Sequence, residues 1–142
     1  MIDQSVADVM MESVRTVTAE TTASDVARLF ADHDIGSAVV VDPGSGELLG
    51  IVTESDVMHQ VAIDADVATV AVGSFMSEHL VTIDSSESIH EAAAMMKEHS
   101  IRRLPVVDDG ALVGILTTTN LTHYLPRLRN AVLRTRGELV GQ

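Results

Sequence analysis

Residues 50–56 read GIVTESD, and residues 114–120 read GILTTTN. The same turn occurs twice, sixty-four positions apart, with Asp56 in the first copy answered by Asn120 in the second. Glycine, two aliphatic residues, a threonine and three polar residues predict a buried strand that ends at the threonine and enters a helix. Gly50 and Gly114 allow another backbone to approach that strand closely. Thr53 and Thr117 fall at the helix N-cap, and the Asp or Asn three residues on completes a capping pattern. The same geometry suits a ligand: free N–H groups and a hydroxyl at a helix start favour phosphate. A carboxylate one turn inside can accept hydrogen bonds from a ribose diol.

Working outward, the whole chain is a duplication. A short amphipathic lead-in comes first in each half, Val6–Met10 and Val72–Met76. Short β segments follow at Thr16–Thr18 and Val81–Ile83. A helix comes next: Ala23, Val26, Ala27 and Phe30 recur 66 residues later as Ile89, Ala92, Ala93 and Met96, one apolar stripe used twice. Thr22 or a neighbour caps the first helix, and Ser85 or Ser86 the second. Ser37–Val41 and Leu104–Val107 read as buried strands, followed by the turns DPGSGE and DDG. Returning strands Leu48–Val52 and Leu112–Leu116 lead into second helices at about Ser55–Val61 and Thr119–Leu125. The boundaries are residues 1–62 for repeat 1, 63–72 for a linker, 73–126 for repeat 2 and 127–142 for an arginine-containing C-terminal segment. A unit of this size has little core of its own, so two copies packed sheet to sheet about a pseudo-two-fold axis are expected.

Composition narrows the function. The chain has 142 residues, a formal net charge of −12 and no cysteine, which excludes disulfides, thiolate metal sites and cysteine nucleophiles. Lys97 is the only lysine, against eight arginines. An acidic surface nearly free of lysine suits a salt-adapted prokaryote. Nucleic acid is not an expected partner, because phosphate neutralisation needs a basic face. The one basic cluster, Arg127, Arg129, Arg134 and Arg136, is expected on a short terminal helix. No apolar run is long enough to span a membrane and no signal peptide is evident, so the expected compartment is the cytoplasm.

The ordered set of motifs resembles a tandem CBS-domain pair, named for the regulatory domain of cystathionine β-synthase. The resemblance rests on the lead-ins Val9-Met10 and Phe75-Met76, on the strand ends Val41-Asp42 and Val107-Asp108, and on SIRRLPVVDDGALVGILTTTNL at residues 100–121. It covers roughly residues 5–125. The fold it implies is α+β, each repeat β-α-β-β-α with a helical lead-in. It implies two clefts between the repeats that take adenosine-containing ligands such as AMP, ADP, ATP or S-adenosylmethionine. The first would use Thr16, Val17, Thr18, Thr53, Ser55 and Asp56, with Arg102 and Arg103 meeting phosphate. The second would use Thr82, Ile83, Ile35, Ser37, Ala38, Thr117, Thr119 and Asn120. The threonine of the turn meets phosphate, the Asp meets ribose, and the first strand's backbone reads adenine. Bases would lie between aliphatic side chains, since the chain has one Tyr, two Phe and no Trp.

Asp offers two acceptors to a diol where Asn offers one acceptor and a donor amide, so the Asp56 site is expected to bind better. No cofactor is required, and magnesium accompanying a di- or triphosphate stays open. Six histidines raise a metal hypothesis, but His33, His59, His99 and His123 show no ligand spacing and no metal site is expected. His59, three residues after Asp56, is the histidine placed to line a nucleotide site. Met10, Met76, Met95 and Met96 fall at apolar helical positions as core or dimer contacts. No nucleophile elbow or phosphate-loop signature appears, so no enzyme activity is expected. The reading is a regulatory sensor and homodimer acting on an unknown effector protein. The alternative is a ligand-free interaction module with vestigial clefts.

Overall fold

A computed structural model describes residues 4–123. The arginine cluster at 127–136 and the end of the second returning helix lie outside the described residues. Among the described residues, five helices and two three-stranded sheets follow in order: α1 Val6–Val9, β1 Thr16–Val17, α2 Ala23–His33, β2 Ser37–Val41, β3 Leu48–Thr53, α3 Glu54–Ala62, β4 Ile83–Asp84, α4 Ile89–His99, β5 Arg103–Asp108, β6 Ala111–Thr117 and α5 Thr118–Thr122. A 3-10 turn covers Val72–Ser74. The mixed α+β repeat expected from the sequence is present twice.

Both sheets share one topology, β1-β2-β3 and β4-β5-β6. The first pair in each is parallel, the second antiparallel. Parallel neighbours need a crossover, which α2 and α4 supply. Strand alternation then sorts the side chains. In the first sheet Ala38, Val40 and Val52 enter a core with Val26 and Phe30 of α2, against which Val17 packs. In the second, Ile83, Leu104, Val106 and Leu116 pack with Ile89, Ala92 and Met96 of α4. Of the expected helix stripe, Ala93 is exposed while Ala27 is half-buried.

The compact units are cut differently from the sequence repeats. One runs Val14–Leu80, and the other joins the N-terminal residues through Ser13 to the chain from Val81 onward. The lead-in that precedes the first repeat therefore packs in the unit built from the second. Val6 and Val9 belong to its core. Val6 N–H donates to Glu87 O at 2.7 Å, and Met11 and Ile115 exchange both backbone hydrogen bonds at 2.9 Å. The second lead-in serves the first sheet in the same way: Val72 enters that core, and Ile51 and Ser77 pair at 3.0 and 2.9 Å.

These pairings account for the glycines of the repeated turn. A Cβ on Gly50 would meet the carbonyl oxygen of Ser77, and one on Gly114 would lie 2.7 Å from Met11 O and 2.7 Å from Met10 Sδ. Only a residue without a side chain lets the lead-in backbone cross the strand there.

Two local expectations are corrected. The cap of α4 is Ser88, whose side chain accepts from Glu91 N, and not Ser85 or Ser86. Ser86 instead donates its N–H and hydroxyl to Asp84 Oδ1 at 2.9 and 2.7 Å, holding a turn ahead of the helix. The returning strands run one residue further than read, through Thr53 and Thr117, because those threonines pair with Ser37 and Arg103.

Candidate functional site: two capped turns with opposite polarity

Each candidate site is built around the strand-to-helix turn of one unit. In the Val14–Leu80 unit, Thr53 ends β3 with extended backbone and caps α3. Asp56 Oδ2 accepts from Thr53 N at 2.8 Å and from Thr53 Oγ1 at 3.1 Å, while Asp56 N donates to Thr53 Oγ1 at 3.3 Å. Asp56 Oδ1 has no hydrogen-bond partner among the described residues. The next amide, Glu54 N, is taken by Gly36 O at 3.0 Å. The positive end of the α3 dipole and one open carboxylate oxygen therefore face the same place.

Register gathers polar neighbours around this turn. Ser37 lies directly across from Thr53, and Val39 pairs with both Ile51 and Thr16. By alternation Thr16, Ser37 and Thr53 share the sheet face turned away from α2. Thr18 follows β1 and is tied to Thr21, its N–H donating to Thr21 Oγ1 at 3.3 Å. Ser55 is exposed at the start of α3. Ala38, Val17 and Ile35 face the other way, into or against the core with α2. Whatever Val17 and Ala38 offer a ligand comes from their backbone.

The second unit repeats the frame with different chemistry. Thr117 N donates to Asn120 Oδ1 at 2.9 Å, and Asn120 N donates to Thr117 Oγ1 at 3.1 Å. The amide oxygen is thus occupied by the cap. Left over are the Asn120 Nδ2 hydrogens and the Thr117 hydroxyl proton, neither with an acceptor among the described residues. Arg103 replaces Ser37 directly across from Thr117. Thr82 precedes β4 at the position of Thr16, Ile83 is core, and Thr119 is exposed. The first turn presents an acceptor, and the second presents donors beside a guanidinium.

Arg102 and Arg103 are placed differently on the second sheet. Arg103 stands on the face with Thr117, whereas Arg102 is exposed on the side of Leu104, toward α4. Arg102 O accepts from Thr118 N at 3.0 Å, the same bond that Gly36 O makes with Glu54 N. His59 is exposed on α3. His33 Nδ1 accepts from the Arg15 guanidinium at 3.1 Å, a contact that no sequence spacing signalled. Among the described residues, no three His, Asp or Glu side chains stand together as metal ligands would. No described helix is long and apolar enough to cross a membrane.

On the helix side of the first unit, α2 and α3 border a hollow of about 420 Å3, lined by Phe30, Asp34, Ile35, Gly36, Glu54 and Met58 among others. Met58, which lines it, and Val61 and Ile63 further along the chain are 69, 58 and 56% exposed, the large hydrophobic side chains most open to solvent among the described residues.

The duplicated β-α-β-β-α frame and its paired capped turns define a tandem-repeat α+β architecture. A family model described as CBS domain matches residues 6–63 and again 72–127, so the chain belongs to the CBS-domain family. Among curated relatives, the CBS domain-containing protein YhcV of Bacillus subtilis is 34% identical over 117 residues, 82% of each chain. Hypoxic response protein 1 of Mycobacterium tuberculosis is 31% identical over 120 residues, 84% of this chain and 83% of that one. A crystal structure of hypoxic response protein I with two coordinated zinc ions aligns at TM-score 0.73 and 29% identity, covering 85% of this chain and 98% of that one. Two further structures share the fold at 24% identity. The CBS pair of MJ0100, in complex with 5′-methylthioadenosine and S-adenosylmethionine, aligns at TM-score 0.79 over 87% of this chain and 97% of that one. PAE2072 of Pyrobaculum aerophilum, complexed with AMP, aligns at 0.77 over 83% and 90%.

Proposed function

We propose that this chain is a regulatory module that binds an adenosine-containing ligand, AMP, ADP, ATP or S-adenosylmethionine, and acts on a partner protein through ligand-dependent conformational change. The observation that carries the proposal is the Asp56 cap. One carboxylate oxygen holds the turn and the other is left open at the start of α3. That open acceptor meets a ribose diol, with Thr53 and Ser55 toward phosphate and the backbone of Thr16, Val17 and Thr18 toward the base. Family membership supports this reading, as do the adenosine ligands held by other proteins of the fold.

The two turns are not equivalent in this reading. The Asn120 turn, with Arg103 across from Thr117, offers donors only and favours the phosphate of a ligand over its diol. The Asp56 turn binds an adenosine ligand more tightly. The chain acts without enzymatic turnover, as a homodimer in the cytoplasm, and its lysine-poor acidic surface suits concentrated salt.

Thermal unfolding with AMP, ADP, ATP and S-adenosylmethionine in parallel tests the proposal. A ligand at about a hundred times its dissociation constant adds roughly 2.7 kcal/mol, a shift of several degrees. The shift is expected with at least one ligand and is expected to shrink in Asp56→Asn. A second reading, a ligand-free interaction module, draws on the exposed Met58, Val61 and Ile63. It predicts no shift with any ligand.

A further inference from the structure

A helix that packs on a sheet ordinarily buries apolar side chains, and α3 departs from that rule. Its one buried residue is Gln60, 9% exposed. Asp56 and Val57 are half-buried, and the rest of the helix is exposed. A buried amide gives up water at a cost that methionine or leucine of similar volume would not incur, so it is ordinarily hydrogen-bonded. The Gln60 side chain bonds to no other described residue. Yet no fully enclosed side-chain nitrogen or oxygen among the described residues lacks a partner. The amide therefore keeps an opening at its tip while the rest of the side chain is covered. Its backbone is pinned, with Gln60 O accepting from Ala65 N at 3.0 Å.

Helix geometry puts this amide beside Asp56. Residues four apart lie about 40° apart around the axis and about 6 Å along it. Helical side chains lean toward the N-terminus, so each covers the turn before its own. Gln60 thus leans back over Asp56, whose Oδ2 is held by Thr53 and whose Oδ1 is open. The two side chains do not bond to each other. One helix face therefore brings together two polar groups that the described residues leave unanswered. Sixty-four positions on, the sequence has Asn120 for Asp56 and Tyr124 for Gln60, the latter outside the described residues. The second copy carries neither the carboxylate nor the amide.

We propose that Gln60 is a specificity-determining residue of the Asp56 site, and that the pair selects a ribonucleotide over its deoxy forms. A cis-diol brings two hydroxyl protons, and the cap leaves one carboxylate oxygen to take them. Asp56 Oδ1 accepts from one hydroxyl. The Gln60 amide answers the other, Oε1 accepting its proton and Nε2 donating to its oxygen, the complement that an amide offers a hydroxyl. A site built to bond a hydroxyl rejects the analogue that lacks it, because its own buried groups are then left unpaired. This deepens the adenosine-ligand reading above and rests on it.

The test is titration calorimetry with AMP and ATP, each beside its 2′-deoxy and 3′-deoxy forms, on the parent chain and on Gln60→Met. The parent is expected to bind each deoxy form roughly tenfold or more weaker than the ribonucleotide. Gln60→Met exchanges the amide for a thioether of similar volume, so its unfolding midpoint is expected to be no lower than the parent's. Its affinity for the ribonucleotide is expected to fall about tenfold, and its discrimination against one deoxy form to shrink to within about twofold while the other persists. Gln60→Leu is a second replacement of the same kind, with the same expectation. A merely structural role would lower the midpoint and leave both discrimination ratios intact, and intact ratios in the two variants would overturn the proposal. So would a parent that binds both deoxy forms as tightly as the ribonucleotide, a result that needs no variant. Binding of neither ribonucleotide to the parent would remove the inference by removing the nucleotide site under it, a failure distinct from the others.

Discussion

Asp56 and Asn120 close the same cap with the same atoms, yet what each leaves over differs in sign. Asp56→Asn is therefore expected to keep α3 capped while removing the open acceptor. Loss of a charge-assisted hydrogen bond of about 1.5–3 kcal/mol would weaken adenosine-ligand binding by roughly 10- to 100-fold, measurable by titration calorimetry. Unliganded stability should move by less than about 0.5 kcal/mol. The capping residues were legible in the sequence because a cap is local, its partners lying within three residues. Gly50 and Gly114 were legible only in part. Their need for space was evident, but the atoms that require it belong to lead-ins far away in the chain. Gly114→Ala is expected to cost about 1–3 kcal/mol in urea denaturation, because Met10 can swing aside and the Met11 carbonyl cannot.

At the scale of elements, the turns ahead of the helices matter as much as the helices. Ser85 and Ser86 read as caps in the sequence, but the cap is Ser88, because its place depends on where the chain leaves β4. With Ser86 engaged by Asp84, the helix begins at Ile89 and Ser88 closes it. Ser88→Ala is expected to lower stability by about 1 kcal/mol, read from the shift of the denaturation midpoint.

The Asp84 carboxyl is held below its usual value of 3.8, first by the Ser86 hydroxyl and then by the Ser86 N–H. The Asp42 carboxyl is lowered in the same way, first by the Ser45 N–H and then by its hydroxyl. A group whose pKa is depressed on folding contributes stability above its unfolded value, and loses it as pH falls through the folded value. The Asp42→Asn, Asp84→Asn double variant should therefore show a shallower loss of stability than the parent between about pH 4 and pH 2. A parent-like slope would mean that these turns do not differ between folded and unfolded chains.

For the molecule as a whole, duplication was plain in the sequence and the exchange of lead-ins was not. Both lead-ins carry the same amphipathic pattern, and both sheets offer a glycine at the same place. Pattern alone cannot say which lead-in crosses which strand. The structure settles this for each unit through the Met11–Ile115 and Ser77–Ile51 pairs. The consequence is an unusual assignment of stability. Val6→Asp, which places an unpaired charge in a fully buried position, is expected to destabilise by several kcal/mol. Hydrogen exchange should quicken across β4, β5 and β6 and stay nearly unchanged across β1, β2 and β3. Faster exchange in the first sheet instead would show the lead-in serving its own repeat.

The exchange also sets an order on folding during synthesis. Val14–Leu80 holds its own sheet, its own helices and the lead-in that crosses Gly50, so it can close as soon as it leaves the ribosome. The segment just before it cannot. The segment ending at Ser13 must wait for β6, a delay of about 5–20 s at ordinary elongation rates. Through that interval Val6 and Val9 lack the core they are built for, and a nascent-chain chaperone would find there an apolar segment in need of cover.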